Sequence, residues 1–250
     1  MARGAAARGR RVAFGDGRRV VWHRNAFEIF RGNDNVVASE SLRGQDVEWI
    51  AHYPGKRRYC TLVGGKRRQW RFTPHTQRVG EIFFDVGEAL LAQAMSSASY
   101  VIIESAVKRT ASNKQWPVER YQQVARELQA AGHRVLQFND GLADVPVIRM
   151  SDFRRAMAAL SSARLFIGPE GGLHHAAAAL GVPAVVLFGG FISPEVTGYE
   201  SHVNLFTGDD MGCGMIDPCS HCRAAMSRIT VDQVVAESVS ILNSDWRLRA

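Results

Sequence analysis

The densest run of chemically capable side chains is Gly168-Pro169-Glu170-Gly171-Gly172-Leu173-His174-His175. It follows the apolar stretch Leu165-Phe166-Ile167 and passes into four alanines, so it reads as a strand breaking into a helix. In open α/β sheets, ligands bind at the carboxyl ends of strands. There the first turn of the next helix offers unpaired N–H groups and a positive dipole to phosphates. Gly171 and Gly172 would let the main chain approach such a ligand closely. Glu170 can accept hydrogen bonds from sugar or ribose hydroxyls, and His174 and His175 could donate to a diphosphate. The rival reading is a glycine turn with incidental histidines. Two adjacent histidines and a glutamate beside paired glycines weigh against it, although glycine turns alone are weak signals.

Lys114 carries the second constellation. It ends a polar loop that follows the apolar run 100–103 and precedes Trp116-Pro117, where proline suits a helix start. A lysine there would neutralise diphosphate charge, with the hydroxyls of Ser105, Thr110 or Ser112 adding hydrogen bonds. A solvated loop lysine fits the same residue equally well. The third constellation is Cys213-x5-Cys219-x2-Cys222, enclosing His221. Such spacing suits a structural zinc or iron knuckle, with His202, His221 or Cys60 as the missing fourth ligand. Simple thiols fit the same spacing. If a metal is held, the sulfurs should lie within about 4 Å of one another.

These residues need elements to hold them. From about residue 99 onward strand and helix patterns alternate. Apolar runs at 100–103, 134–138, 164–167, 184–188 and 203–206 read as strands. Between them Tyr121, Val124, Ala125 and Leu128 fall at helical spacing, with Gly132 just past the end as a cap. Ser151 can cap a helix running to about Ser161, and Thr230 a final one with Val234, Val235, Val239 and Leu242 inward. This alternation predicts a parallel, doubly wound sheet. The first 95 residues are less regular, with short strands expected at 11–14, 20–22, 27–30, 47–51 and 82–84 and no obvious long amphipathic helix before Val86.

The order of these motifs is itself informative. A hydroxyl-bearing loop, Lys-x-Trp-Pro-x-Glu-Arg, a helix and a strand precede Gly-x-Glu-Gly-Gly-x-His-His-Ala-Ala-Ala, and a Phe-Gly follows the next strand. Over about residues 99–243 this resembles glycosyltransferase family 9, which contains the ADP-heptose:lipopolysaccharide heptosyltransferases. The resemblance implies an α/β fold of GT-B type: a Rossmann-type parallel sheet in the C-terminal domain and a shortened, strand-rich N-terminal domain. It implies inverting transfer from a nucleotide sugar, an ADP-sugar above all, without a catalytic metal. The family's sugar-contacting motif maps onto Glu170, Gly172 and His175, and its phosphate-contacting lysine onto Lys114. Many members carry aspartate where this chain has Glu170. The family's catalytic carboxylate finds its nearest counterpart in Asp16, within Phe14-Gly15-Asp16-Gly17, where an Asp-Gly hairpin turn fits as well.

Charge divides the chain. The net +7 is the sum of +11 over residues 1–78 and −4 over the rest. The clusters Lys56-Arg57-Arg58 and Lys66-Arg67-Arg68 carry much of the excess. A basic cleft steers anions toward it, so the clusters are expected to border the cleft of Glu170 and meet an anionic glycan or other acidic acceptor. Aromatics interleaved with the bases near 49–59 also admit a nucleic acid. A nucleic-acid-binding protein and an inactive nucleotide-sugar-binding protein are the rival readings. No apolar stretch reaches the roughly 18 residues of a membrane-spanning helix. The arginine-rich start lacks the apolar core of a secretory signal. A reduced, cytoplasmic setting follows, with the membrane surface open to the basic half. The expected division is an acceptor-side domain over 1–95, a nucleotide-sugar domain over 99–229, and a last helix within 230–250 that returns toward the N-terminal part.

Overall fold

The computed structural model describes residues 2–22, 24–42, 44–64 and 68–244. Its N-terminal part runs α1 (Ala2–Ala6), β1 (Arg11–Gly15), α2 (Arg24–Phe30), β2 (Val47–Tyr53), β3 (Lys56–Arg57), β4 (Cys60–Val63) and β5 (Gln69–Phe72). These strands form one sheet in chain order. β1 and β2 are parallel, and β2 to β5 form an antiparallel meander. Val12, Val36 and Ile50 make a small core beneath it. The expected strand at 27–30 is instead part of α2. Phe30 stacks on Phe14 at 4.7 Å and Trp22 packs edge-on against Phe27 at 5.0 Å, so helical spacing serves these aromatics better than alternation.

The rest of the chain continues with α3 (Val86–Ser96), β6 (Val101–Ile103), α4 (Val118–Ala130), β7 (Val135–Leu136), α5 (Phe153–Leu160), β8 (Leu165–Pro169), α6 (Gly172–Ala179), β9 (Ala184–Phe188), α7 (Pro194–Thr197), β10 (Val203–Phe206), α8 (Ser220–Arg228) and α9 (Val231–Asn243). Thr230 caps α9 as expected, but α5 is capped by Asp152, one residue beyond the expected Ser151. Asp152 accepts from the Arg155 N–H at the start of α5, and Thr230 and Gln233 bond reciprocally at the start of α9. Gly132 adopts a φ of 86° just beyond α4.

β6 to β10 form an all-parallel sheet in the order β10-β9-β8-β6-β7. Its core strands are apolar throughout, as a sheet covered on both faces requires. One face packs on α4 and α9 through Trp116, Tyr121, Leu128, Val234 and Leu242. The other packs on α5 and α6 through Met157, Leu160, Ala176 and Ala177. Among the described residues, α9 therefore packs chiefly with its own sheet, against α4, β8 and β9, rather than toward the N-terminal part. Its inward face of Val231, Val234 and Leu242 is buried there already, and Arg164 donates to the Leu242 carbonyl at 2.7 Å. Among the described residues, no helix is long and apolar enough to cross a membrane.

Candidate functional site

Strand order dictates where a ligand should lie. From β6 the chain moves outward to β7, then crosses back to β8 on the opposite side of β6. The connections leaving β6 and β8 thus diverge, and a crevice opens between their carboxyl ends. The connection after β6 ends in a 3₁₀ turn, Arg109–Lys114, and that after β8 is Glu170-Gly171 leading into α6.

The two connections meet through their charged side chains. Lys114 Nζ contacts Glu170 Oε2, and the Lys114 ammonium lies 4.9 Å from the centre of the Phe191 ring. His175 Nε2 stands 3.6 Å from Glu170 Oε1, while its Nδ1 is 2.9 Å from the Tyr199 hydroxyl. Glu170 is buried. Burial opposes its ionisation, but the Lys114 ammonium and the flanking His175 more than offset this and hold its carboxyl below the ordinary range. Burial pushes the fully covered His174 down to about 2, so its ring is neutral. His174 packs against His175, Tyr199 and Phe188, and is wall rather than donor.

The glycines divide by purpose. A Cβ at Gly168 would come within 2.7 Å of Phe166 and 3.2 Å of the Glu104 carbonyl, so the sheet itself requires glycine there. A Cβ at Gly171 would meet nothing closer than 3.9 Å, and one at Gly172 only Phe153 at 3.5 Å. Packing does not call for glycine at these two positions, which leaves room for a ligand beside the first N–H groups of α6. Ser105 is buried at the carboxyl end of β6, its carbonyl accepting from Gln115 at 3.1 Å. The Thr110 side chain lies outside the described residues.

Beside this cluster is a cavity of about 670 Å³ between the N-terminal sheet and α6. His175, Gly172 and Tyr199 form one wall, and Phe14, Phe30 and Arg58 part of the other. Asp16 does not line it. Its carboxylate accepts from the N–H groups of Arg18 and Arg19, both at 2.8 Å, in a turn where Gly17 has a φ of 96°. These bonds lower its pKa, the opposite of what a base poised near neutrality needs. Among the described residues of the two basic clusters, Arg58 lines the cavity beside Glu170, while Lys56 and Arg57 are engaged in their own hairpin. Arg57 donates to the Tyr53 and Lys56 carbonyls and Lys56 to Thr61, bracing the β3–β4 hairpin. Arg58 reaches the cavity, Arg68 is exposed, and Lys66 and Arg67 lie outside the described residues. Some of the N-terminal arginines are paired locally, as in Arg10–Asp46 and Arg3–Glu81 at 2.8 and 3.0 Å.

The cysteine loop forms a second cluster. Ligand atoms of Cys213, Cys219, His221 and Cys222 all lie within 4.8 Å of one another, and the Cys213 and Cys222 sulfurs are 3.0 Å apart. Of the three candidate fourth ligands, His221 is the one in place. Its Nε2 meets Asp209 at 3.0 Å, and its Nδ1 is buried without a hydrogen-bond partner. A histidine held by a carboxylate with its other nitrogen toward thiols is the arrangement of metal-bound imidazole. The Cys213 thiol is pulled down, chiefly by the Cys222 thiol, which is itself pushed up.

Sequence reading missed three residues that organise these clusters. Asn113 is buried and spans both: its amide donates to the Met215 and Asp217 carbonyls at 2.6 and 2.9 Å and accepts from the Cys219 N–H at 2.8 Å. Phe191 underlies Lys114, and Tyr199 backs His175. Phe191 lies three residues beyond the Phe188-Gly189 pair already singled out; Asn113 and Tyr199 carry no local signal.

A family model for glycosyltransferase family 9 (heptosyltransferase) matches residues 74–229, more than half of the chain. Among solved structures, a glycosyl transferase family 9 protein from Veillonella parvula DSM 2008 superposes with a TM-score of 0.52 at 20% identity, over 65% of this chain and 53% of that one. ADP-heptose lps heptosyltransferase II of E. coli gives 0.50 at 19% identity, over 68% and 54%. The iron-containing dodecameric glycosyltransferase TibC of enterotoxigenic E. coli H10407 gives 0.54 at 16% identity, over 89% and 69%. Identities this low speak for the fold. The chain spans about half the length of the first two structures. No curated protein matches it.

Proposed function

Since the chain belongs to glycosyltransferase family 9, we propose that it transfers a sugar from a nucleotide-sugar donor, an ADP-sugar, to an acceptor hydroxyl. The observation that carries this reading is the meeting of Lys114, Glu170 and His175 at the crevice between β6 and β8, beside the open N-terminus of α6. Lys114 and the N–H groups of α6 would hold the diphosphate, Glu170 the sugar hydroxyls, and His175 the charge that grows on the leaving group. Residues 99–229 are the donor side. Residues 1–95 are the acceptor side, with the cavity beside His175 taking an anionic acceptor through Arg58.

We read the transfer as inverting and free of catalytic metal. Glu170, His174 and His175 approach closely enough to hold an ion. The Lys114 ammonium already stands against Glu170, however, and a second cation there would meet like charge. Cys213, Cys219, His221 and Cys222 are assigned to a structural zinc or iron. The buried, unpartnered Nδ1 of His221 is the observation that fits this donor set to a metal. Such an ion would supply a cross-link and no chemistry at the donor crevice.

A second reading has one observation behind it. The Asp16 carboxylate is committed to its own turn, so a protein that binds the nucleotide sugar without transferring it would look the same on the donor side. Titration with ADP, UDP, GDP and CDP, then with the matching nucleotide sugars, tests both readings. ADP binding with donor turnover supports the transferase, and ADP binding without turnover the inactive binder. Failure to bind any nucleoside diphosphate would falsify both.

A further inference from the structure

His175 meets a polar oxygen at each ring nitrogen, one of them at hydrogen-bond distance. Nε2 faces Glu170 Oε1 at 3.6 Å and Nδ1 faces the Tyr199 hydroxyl at 2.9 Å. Glu170 is ionised, because the Lys114 ammonium stands against its carboxylate. A lone pair on Nε2 would point at that negative oxygen, so in the neutral ring Nε2 carries the proton. Nδ1 is then the acceptor, and Tyr199 must donate. The phenol is suited to this: burial pushes it up to about 12, so it keeps its proton. It is also fixed in place. Tyr199 is 8% exposed and packs edge-on against His174 and His202 at 5.2 and 5.5 Å.

We infer that Tyr199 is a positioning residue which, by donating to Nδ1, locks the His175 ring so that Nε2–H is presented to Glu170 and the cavity. The inference rests on the glycosyltransferase reading for its consequence. A leaving diphosphate gathers negative charge as the glycosidic bond breaks, and an N–H aimed at it is stabilising where a lone pair would repel. A ring free to turn or change tautomer would offer that N–H only part of the time. Tyr199 comes from the connection between α7 and β10, outside both motifs that carry the donor site. The β9–β10 connection thus backs both donor-side residues, through Phe191 under Lys114 and Tyr199 behind His175.

The test is Tyr199→Phe, which keeps the ring and removes the hydroxyl. Nitrogen NMR of histidine-labelled protein should show His175 in the wild type with a protonated Nε2 and a hydrogen-bonded, unprotonated Nδ1. In the variant the Nδ1 signal should move to the value of a nitrogen without a partner, or the two tautomers should mix. With donor and acceptor supplied, kcat should fall about threefold to tenfold, the weight of one hydrogen bond, while KM for the donor changes less. A protonated Nδ1 in the wild type overturns the inference even if the variant does not fold. An identical nitrogen pattern and unchanged kcat in a folded variant overturn it too. If the wild type transfers no sugar at all, the transferase reading fails, and the nitrogen pattern still decides whether Tyr199 sets the ring.

Discussion

Lys114 answers to Glu170 on one side and to the face of Phe191 on the other. A diphosphate would take over the first of these. Lys114→Met keeps the stem and removes the charge. Losing charge-assisted bonds of about 1.5–3 kcal/mol should weaken ADP binding by roughly tenfold to a hundredfold. It should also lower stability, because Glu170 is left buried and unpaired. Lys114→Met/Glu170→Gln should recover that stability without recovering binding. Calorimetric titration with ADP and urea unfolding separate the two effects, and a Lys114→Met variant that binds ADP like the wild type would remove the lysine from the site. The glycines give a matched pair. Gly171→Ala should change stability by no more than about 0.5 kcal/mol yet weaken ADP binding, since its Cβ meets only open space now. Gly168→Ala should cost about 1–3 kcal/mol, since its Cβ would press on Phe166. Equal unfolding midpoints for the two variants would contradict this division.

Between residue and fold stands the cysteine loop, which touches more of the site than its distance in sequence suggests. Gly214 donates to the Phe191 carbonyl at 2.9 Å, Cys213 donates to the Gly190 carbonyl at 2.8 Å, and Trp70 of β5 donates to the Gly214 carbonyl at 2.8 Å. Gly190 must be glycine, since a Cβ there would lie 2.7 Å from the His221 ring. Through Asn113 the same loop braces the turn that carries Lys114. Asn113→Ala would strip partners from two carbonyls and one N–H, at about 1–3 kcal/mol for each group left buried. The expected outcome is a lower melting temperature and weaker ADP binding, although residue 113 need not touch the nucleotide. If a chelator strips zinc or iron from the wild type, the same two quantities should fall together; a chelator that leaves metal-loaded protein unchanged in both would uncouple the loop from the donor side. The parallel sheet was legible because β6, β8 and β9 are solid apolar runs, and the meeting of Lys114 with Glu170 because each residue's motif follows a strand. The N-terminal part was harder to read. Its strands β2 to β5 are two to seven residues long and mostly half-buried, and at 27–30 the helical spacing that suits the aromatics shows only once Phe14 and Trp22 are packed against them. His221 was only one of three choices for the fourth ligand, because a bond to Asp209 is invisible until the loop folds.

At the scale of the molecule, one buried arginine ties the N-terminal part to the parallel sheet. Arg154 on α5 donates to the Glu88 carboxylate of α3 and to the main-chain carbonyls of Glu28, Arg31 and Phe83. It is 2% exposed and Glu88 is 4% exposed. The arrangement closes one side of the crevice region, because α5 also packs against α6, whose first turn carries His175. The Arg154 guanidinium, with the Asp85 N–H and Arg31, holds the Glu88 carboxyl down to about 2 against the opposing effect of burial, from an ordinary value of 4.5. The folded pKa is the lower one, so this stabilisation is complete above the unfolded value and is lost as pH falls through 4.5 toward 2. At about 1.4 kcal/mol per unit it amounts to roughly 3 kcal/mol. Glu88→Gln should therefore be less stable than the wild type at pH 7, because Arg154 keeps its charge and loses its partner. The variant should also lose less stability than the wild type between pH 5 and pH 2.5, since the titrating group is gone. Urea unfolding at the two pH values reads the difference of slopes directly. Other depressed carboxylates, Glu170 and Asp152 among them, titrate in both proteins and cancel in that difference. Parallel slopes would mean that the Glu88–Arg154 pair does not couple the N-terminal part to the sheet in solution.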